Sequence, residues 1–484
     1  MNILGAESNW LADEVLKTWR EKYKIEFNFL PITWDDWSQK VRIWMSSGDI
    51  PDITWVDFGP TMVKDYNAWV EAGLLKEIKG IEKYPNVVAQ LDVLHTDDDL
   101  AINGKKYVWP VTKDTTSVEY TSSRGFVYRK DWVRKLGLLK ENDIYTWDEM
   151  VNIARQCVAQ DPGGVGKNKV AGLACTTWAW PKSLGIEQCT AGVIGGGGYY
   201  KVNGKYVWNA AAPEMLQGLK ITKALYDDGT IWKDQPLCKA DEPCAKFKAG
   251  EIGVLYDNAY AYQMSTFRNE MNKNLGVAFE DVAYMKVKSP NDKFTAIRDD
   301  DYWTISLFSA KMPDAKFDRL MAAWDWMLSK EGYFTRQIGI KGVDWDFDGD
   351  GVKYLWPYDE TQKKYVRPAD NPKFIGAACY LPMGLTEGFG FVDPNLDENK
   401  ANVDATNFCK FLIDNAVYIE PDYKVAYFSE ENMNKYGSFG SEIKDELIKI
   451  ILNSKDVEGD WNKYLESRKD KVQLVIDELN NGIK

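Results

Sequence analysis

Histidine is almost missing from this chain: 484 residues contain one, His95, followed by Thr-Asp-Asp-Asp. Any Ser-His-Asp or Cys-His nucleophile, or any histidine-held metal, would rest on that single imidazole in a solvated acidic loop. Histidine chemistry is therefore set aside. The seven cysteines are an odd count with no CxxC spacing, which points neither to a complete disulfide framework nor to a zinc ribbon. Cys238 and Cys244 are close enough in sequence to pair, but free, partly buried thiols are the expected state. No run of roughly 18 apolar residues is available to span a bilayer. A Lys/Arg stripe is missing too, and a formal net charge of -13 repels phosphate backbones, so nucleic acid is not an expected partner.

The opening MNILGAESNW carries no basic region, apolar core or cleavage site of an export signal. Met1 sits directly on a strand-like segment, which suits a chain trimmed of such a signal and equally a cytosolic protein. Hydrophobic residues at 45% and charged residues at 27% describe a folded globular chain. Its length suits two or three units of ~100–200 residues.

Residues 24–32 read as a strand, and Thr33 as the N-cap of a helix with acids in its first turn. Trp37, Val41, Trp44 and Met45 recur at helical spacing, which assigns both tryptophans to the core. An apolar strand at 53–56 follows, so the segment is a βαβ unit of a parallel sheet, whose ligands sit at the carboxyl ends of strands. Trp55 and Asp57 then fall at a candidate rim, and Glu7 and Asn9 follow the first strand. Asn103-Gly104 and Asn203-Gly204 are hairpin turns. Gly195 to Gly198 precede a strand and not a helix N-terminus, so they read as a flexible loop and not as a phosphate cradle. Thr146 and Glu149 form a capping box ahead of an amphipathic helix. Further helices are expected at 213–228, 314–330 and 460–480.

The segment TTWAWPK, residues 176–182, places Trp178 and Trp180 one residue apart, on one face if the chain is extended. A pyranose offers C–H groups on its faces and hydroxyls at its rim, so a sugar site needs aromatic planes with polar edges. The chain is supplied for that, with 20 Trp and 26 Tyr beside 73 Asp and Glu. Trp178 and Trp180 are the leading stacking candidates. Strand ends add Tyr256, Asp257, Asn258 and Tyr260, and then Arg298, Tyr302 and Trp303. Trp109 is expected to pack within a lobe.

The stretches MSSGDIPDI, NAWVEAGLLKEI, NGKKYVWPV, VYRKDWVRKLGL, YTWDEMVNIARQCVAQDPGGVGK, APEMLQGLKITKALYDDGTI, FKAGEIGVLYDNA and GIKGVDWDFDGDG resemble, in that order, blocks of the extracellular solute-binding lipoproteins of ABC importers, in the long oligosaccharide-binding group. The resemblance implies an α/β, two-lobed periplasmic-binding-protein-like fold with hinge segments, closing over an oligosaccharide delivered to a permease. It also implies a cell-surface protein, held by a lipid anchor absent from this chain. A monomer without catalytic activity is expected. The expected boundaries are 1–116 with 272–312 for lobe one, 117–271 with 313–400 for lobe two, and 401–484 as a helical segment packing on them.

No cofactor is required, but calcium is considered at two places. Where long members of the group carry a calcium loop, this chain keeps Asp161 but has Gly163, Val165, Lys169 and Val170 at positions that should supply oxygens. A second loop places Asp346, Asp348 and Asp350 at positions one, three and five of an EF-hand-type spacing, with Gly351 at six and Pro357 where the bidentate acid belongs. Two other functions stay open. A glycoside-active enzyme would need two carboxyl groups ~5–10 Å apart. A peptide or other polar solute would keep the fold and change the ligand, and Arg124, Arg129 or Arg298 could accept a uronate carboxylate.

Overall fold

The structure is a computed structural model, and it describes residues 1–4, 10–57, 62–92, 100–112, 124–194, 198–296, 302–361, 364–375, 395, 400–418 and 440–481. In chain order the first stretch holds β1 (Asn2–Leu4), α1 (Glu14–Tyr23), β2 (Leu30–Ile32), α2 (Trp37–Ser47), β3 (Ile53–Val56), α3 (Val63–Glu71), α4 (Pro85–Asp92) and β4 (Val108–Thr112). The next holds β5 (Arg124–Arg129), α5 (Lys130–Lys135), β6 (Ile144–Tyr145), α6 (Trp147–Gln160), β7 (Ala171–Cys175), α7 (Ile186–Thr190), β8 (Tyr199–Val202), β9 (Lys205–Trp208), α8 (Pro213–Asp227), α9 (Glu242–Lys248), β10 (Ile252–Asn258), α10 (Ala261–Leu275) and β11 (Val282–Val287). After these come β12 (Tyr302–Phe308), α11 (Asp314–Leu328), α12 (Lys330–Ile338), β13 (Trp345–Asp348), β14 (Gly351–Tyr354), α13 (Ala401–Asn415), α14 (Gly440–Asn453) and α15 (Val457–Asn480).

The chain divides into two compact units, one of Met1–Ser117 with Asp300–Asn395, the other of Val118–Asp299 with Leu396–Lys484. Three stretches fall elsewhere than the sequence suggests. Residues 272–299 join the second unit because β11 pairs β5 and β6. Residues 313–395 join the first, where α11 packs on α4 and α1. The helices after 400 belong to the second unit: α13 lies on α10 and β11, and the last two helices lie on α8.

In the first unit β1 and β2 run parallel, and β12 sits between β3 and β4, antiparallel to both. Its core is built from indoles: Trp19, Trp37, Trp55, Trp109 and Trp324 are all fully buried. Trp109 meets Trp324 at 5.3 Å between ring centroids. Of the expected strand at 24–32 only Leu30–Ile32 forms. The helix also begins later than its acids suggest. Asp36 Oδ1 accepts the Thr33 backbone N–H at 2.8 Å, closing a turn over 33–36, and Asp36 is the cap residue. Val41 and Met45 are buried as the spacing requires, while Trp44 is only half-buried.

In the second unit the strand order is β6-β11-β5-β10-β7. Side chains alternate along β5, so Phe126 and Tyr128 face a core with α6 and α8, and Val127 faces another with α9, α10 and α13. Helix α6 starts at the capping box, Thr146 accepting the Glu149 N–H and Glu149 accepting that of Thr146. Its close approach to β7 needs Gly172, where a Cβ would stand 2.2 Å from the Ala154 carbonyl oxygen. Both Asn-Gly turns have positive φ at each residue, as hairpin turns of that kind require. Gly195 to Gly197 and His95 lie outside the described residues.

A buried acid organises the far end of the first unit. The Asp344 carboxylate accepts from Ile340 N at 2.7 Å, Trp356 Nε1 at 3.0 Å, Asn371 Nδ2 at 2.9 Å and Arg367 Nε at 2.8 Å. The chain beyond runs to α1, where Asp13 Oδ2 accepts the Ile375 N–H at 2.6 Å.

Candidate functional site

At one edge of the second unit's sheet β7, β10 and β11 end and β5 begins, because β7 runs parallel to β10 while β5 is antiparallel to β10 and β11. The residues after β7 are not extended. Ala179 N and Trp180 N both donate to the Thr176 carbonyl, at 3.0 and 3.3 Å, so the backbone coils and the period-two rule no longer holds. The two indoles therefore part. Trp178 turns outward and is 47% exposed; Trp180 turns inward, 4% exposed, toward Tyr226. The expected paired floor is a single indole, and Trp180 is core.

Arg124, the first residue of β5, holds its guanidinium 5.0 Å from the Trp178 ring centroid. The register places it opposite Asn258, the half-buried last residue of β10. A cation, an amide and an exposed indole thus share this edge. Just beneath, Arg124, Phe126, Glu187, Gln188 and Tyr256 line a cavity of about 30 Å³. That is room for a water or two and not for a sugar ring. Tyr256 is buried, edge-on to Phe126 at 5.0 Å, so it is a packing residue. Tyr260 is half-buried ahead of α10, and its carbonyl accepts the Tyr284 hydroxyl.

Asp257 points the other way from the strand. Its carboxylate accepts from Gln263 Nε2 at 2.8 Å and faces the Cys244 thiol at 3.4 Å, and only 3% of the residue is exposed. Burial dominates and pushes its pKa up to about 6, despite the hydrogen bonds that oppose the shift. The same burial, reinforced by Asp257, raises the Cys244 thiol well above its ordinary value. Sealed in this way, Asp257 has no route to a ligand.

In the first unit Trp55 is also core: its Nε1 donates to Thr304 Oγ1 at 2.7 Å, and its backbone is bracketed by the Asn2 amide. Tyr302 is buried at the start of β12. Asp57, after β3, remains accessible, yet surrounding protein raises its carboxyl above the usual range. Glu7, Asn9 and Arg298 lie outside the described residues, as does the Trp303 side chain. Sequence reasoning passed over Trp34, read there as part of a helix start. It follows β2 and is 55% exposed, and the signal that could have found it is Asp36, a cap residue placed after it.

The acids of this hairpin, Asp346, Asp348 and Asp350, are not gathered around one point. Asp346 and Asp348 lie along β13, paired with Lys353 and Gly351 of β14, and Asp346 Oδ1 accepts the Phe347 N–H. A strand spreads acids that a calcium loop would curl around one point. Among the described residues no three His, Cys, Asp or Glu side chains gather closely enough to hold an ion. Asp161 instead spends its oxygens on the backbone N–H groups of Val165 and Gly166.

Comparison with known proteins agrees with this architecture. The chain is 23% identical over 336 residues to lipoprotein LipO of Bacillus subtilis, covering 67% of this chain and 62% of the relative. It is 22% identical over 338 residues to the polygalacturonan/rhamnogalacturonan-binding protein YtcQ of the same organism, covering 68% and 63%. The chain thus spans less than two thirds of either relative. Among solved structures, the alginate-binding protein AlgQ2 matches 99% of this chain and 96% of its own, with a TM-score of 0.69 at 16% identity. The substrate-binding protein FusA of S. pneumoniae matches 99% of both chains with a TM-score of 0.64 at 15% identity. These likenesses establish the two-lobed α/β fold of periplasmic binding proteins. The model of the bacterial extracellular solute-binding protein family matches residues 5–334. The chain is therefore a member of the bacterial extracellular solute-binding protein family.

Proposed function

We propose that this protein captures an oligosaccharide and delivers it to the permease of an ABC importer, without breaking a bond in it. The observation that carries the reading is Trp178. Nearly half of its surface stays in water at the carboxyl edge of a sheet, where ligands of α/β proteins bind. Covering such an indole with the C–H face of a pyranose removes apolar surface from water on both partners. Arg124 and Asn258 supply donors for the hydroxyl rim. The protein works outside the cell, as its family does, held at the surface by a lipid anchor, and acts as a monomer.

The reading includes no hydrolysis: of the carboxyls raised by burial Asp257 is sealed, and the accessible Asp57 is what the assay for new reducing ends tests. A glycosidase acid needs a raised pKa and contact with the glycosidic oxygen. Asp257 has the raised pKa but is sealed against Gln263 and Cys244.

An acidic sugar is the class best matched to the cation at this edge. One relative is named for polygalacturonan and one structural neighbour for alginate, and the Arg124 guanidinium is the group that would accept a uronate carboxylate here. Calorimetric titration with maltotriose, xylotriose, kestose and trigalacturonate, beside a peptide set, tests the reading. A saturable heat with one of the sugars and no new reducing ends supports it. Binding to peptides alone, or turnover of a sugar, refutes it.

A further inference from the structure

We infer that Trp34 is a second sugar-stacking platform, on the first unit, and that with Asp35 it forms a subsite for one pyranose ring. The inference rests on the oligosaccharide reading above. It starts from the turn that replaces the first helical turn after β2. Because Asp36 Oδ1 takes the Thr33 N–H, helix α2 begins only at Trp37, and residues 33–36 project from the strand end. Trp34 occupies that projection and keeps 55% of its surface accessible.

A lone exposed apolar residue would mean little by itself. Trp34 differs in how it is held. Its ring lies 5.5 Å from that of Trp37, and the Trp37 ring lies 4.6 Å from that of Trp55. Trp37 is fixed further by a hydrogen bond from its Nε1 to the Trp55 carbonyl at 2.7 Å, and Trp55 by Thr304. Three indoles thus climb from the centre of the unit to its surface, and only the last meets water. An aromatic ring braced from below has little conformational freedom to lose when a ligand covers it, which is what a stacking site requires.

Position and chemistry agree with that use. β1 and β2 are parallel, with Leu4 opposite Ile32, so the turn leaves at the carboxyl ends of a parallel pair, where ligands of such sheets bind. Asp35, the next residue in the turn, is exposed. An indole plane with an adjacent carboxylate acceptor matches one face and two rim hydroxyls of a pyranose. A neutral ring suits this place better than a uronate, since the exposed Asp35 would repel a carboxylate, whereas Asp36 is ion-paired with Lys40 at 2.9 Å.

The test uses the full chain and the sugar of highest affinity among maltotriose, xylotriose, kestose and trigalacturonate, each with its longer homologue. Trp34→Ala should weaken the longer homologue roughly 10-fold, with an unchanged thermal midpoint because the ring fills no core space, and Trp34→Phe should restore most of the loss. Trp178→Ala serves as the reference for the other unit. If the wild-type protein binds a sugar and Trp34→Ala binds it equally well at both lengths, the Trp34 subsite is overturned while the oligosaccharide reading stands. If no sugar binds the wild type, both fall.

Discussion

The Arg124 guanidinium lies over the Trp178 ring, 5.0 Å from its centroid, and the pair marks the edge where β5 begins and β7 ends. The contact orients the indole and brings a permanent cation to its rim. Trp178→Ala should therefore weaken oligosaccharide binding by about 1–2 kcal/mol, roughly 5- to 30-fold. Its thermal midpoint should stay near that of the wild type, because surface changes move stability little. Titration calorimetry and a melting curve on one preparation check both halves.

Arg124→Ala separates charge from stacking. A carboxylate held by a guanidinium is a charge-assisted bond of about 1.5–3 kcal/mol. Affinity for trigalacturonate should fall accordingly, while affinity for a neutral trisaccharide changes by less. Equal losses for both sugars would show that Arg124 acts through Trp178 alone.

Trp180→Ala should behave as a core truncation. The indole is buried against Tyr226, so its loss costs about 3–5 kcal/mol of folding stability, read as a shift in the denaturant midpoint. Variants that remain folded should bind sugar as the wild type does.

Asp257 gives the stability of the protein a pH dependence of definite sign. Its carboxyl is raised from the ordinary value of 3.8 to about 6 in the folded state, so the folded chain binds the proton more tightly than the unfolded chain. Its contribution is most favourable below the unfolded value and is lost as pH rises through about 6. Asp257→Asn removes that slope. Relative to the variant, the wild type should lose about 2 kcal/mol between pH 4.5 and 7.5, measured by urea unfolding.

Asp344 carries the opposite sign. Burial pushes its carboxyl up, but the bonds from Arg367, Trp356, Ile340 and Asn371 together hold it below the usual range. Its contribution is present above the unfolded value and is lost as pH falls through the folded one. Asp344→Ala removes the buried acceptor shared by Ile340, Trp356, Asn371 and Arg367, whose guanidinium keeps the Pro372 carbonyl, and should cost about 3–5 kcal/mol. Limited proteolysis should then cut within 340–372 before any cut elsewhere in the first unit.

Periodicity was enough to place much of the fold. The capping box at Thr146, the turns at Asn103-Gly104 and Asn203-Gly204, and the buried stripe of Trp37, Val41 and Met45 are local patterns, and local patterns are legible in sequence. What was not legible depended on single side-chain hydrogen bonds or on distant pairing. Asp36 acts backward on Thr33 and moves a helix start past Trp34. Thr176 draws in the N–H groups of Ala179 and Trp180 and splits a pair of tryptophans that an extended chain would have aligned. The pairing of β11 with β5 carries residues 272–299 into the second unit, although hydrophobic spacing contains no record of a partner ~150 residues away. Trp55 and Tyr256 stand at strand ends, as a ligand residue would, yet neighbouring side chains close over both.

The most direct test of the central claim is a tryptophan-emission titration of the wild type and Trp178→Ala with the same oligosaccharide, with reducing ends assayed in parallel. Wild-type emission should change saturably, the variant should lose a large part of that change and most of the affinity, and no reducing ends should form. Wild-type affinity in the variant, or steady release of reducing ends, would contradict the claim.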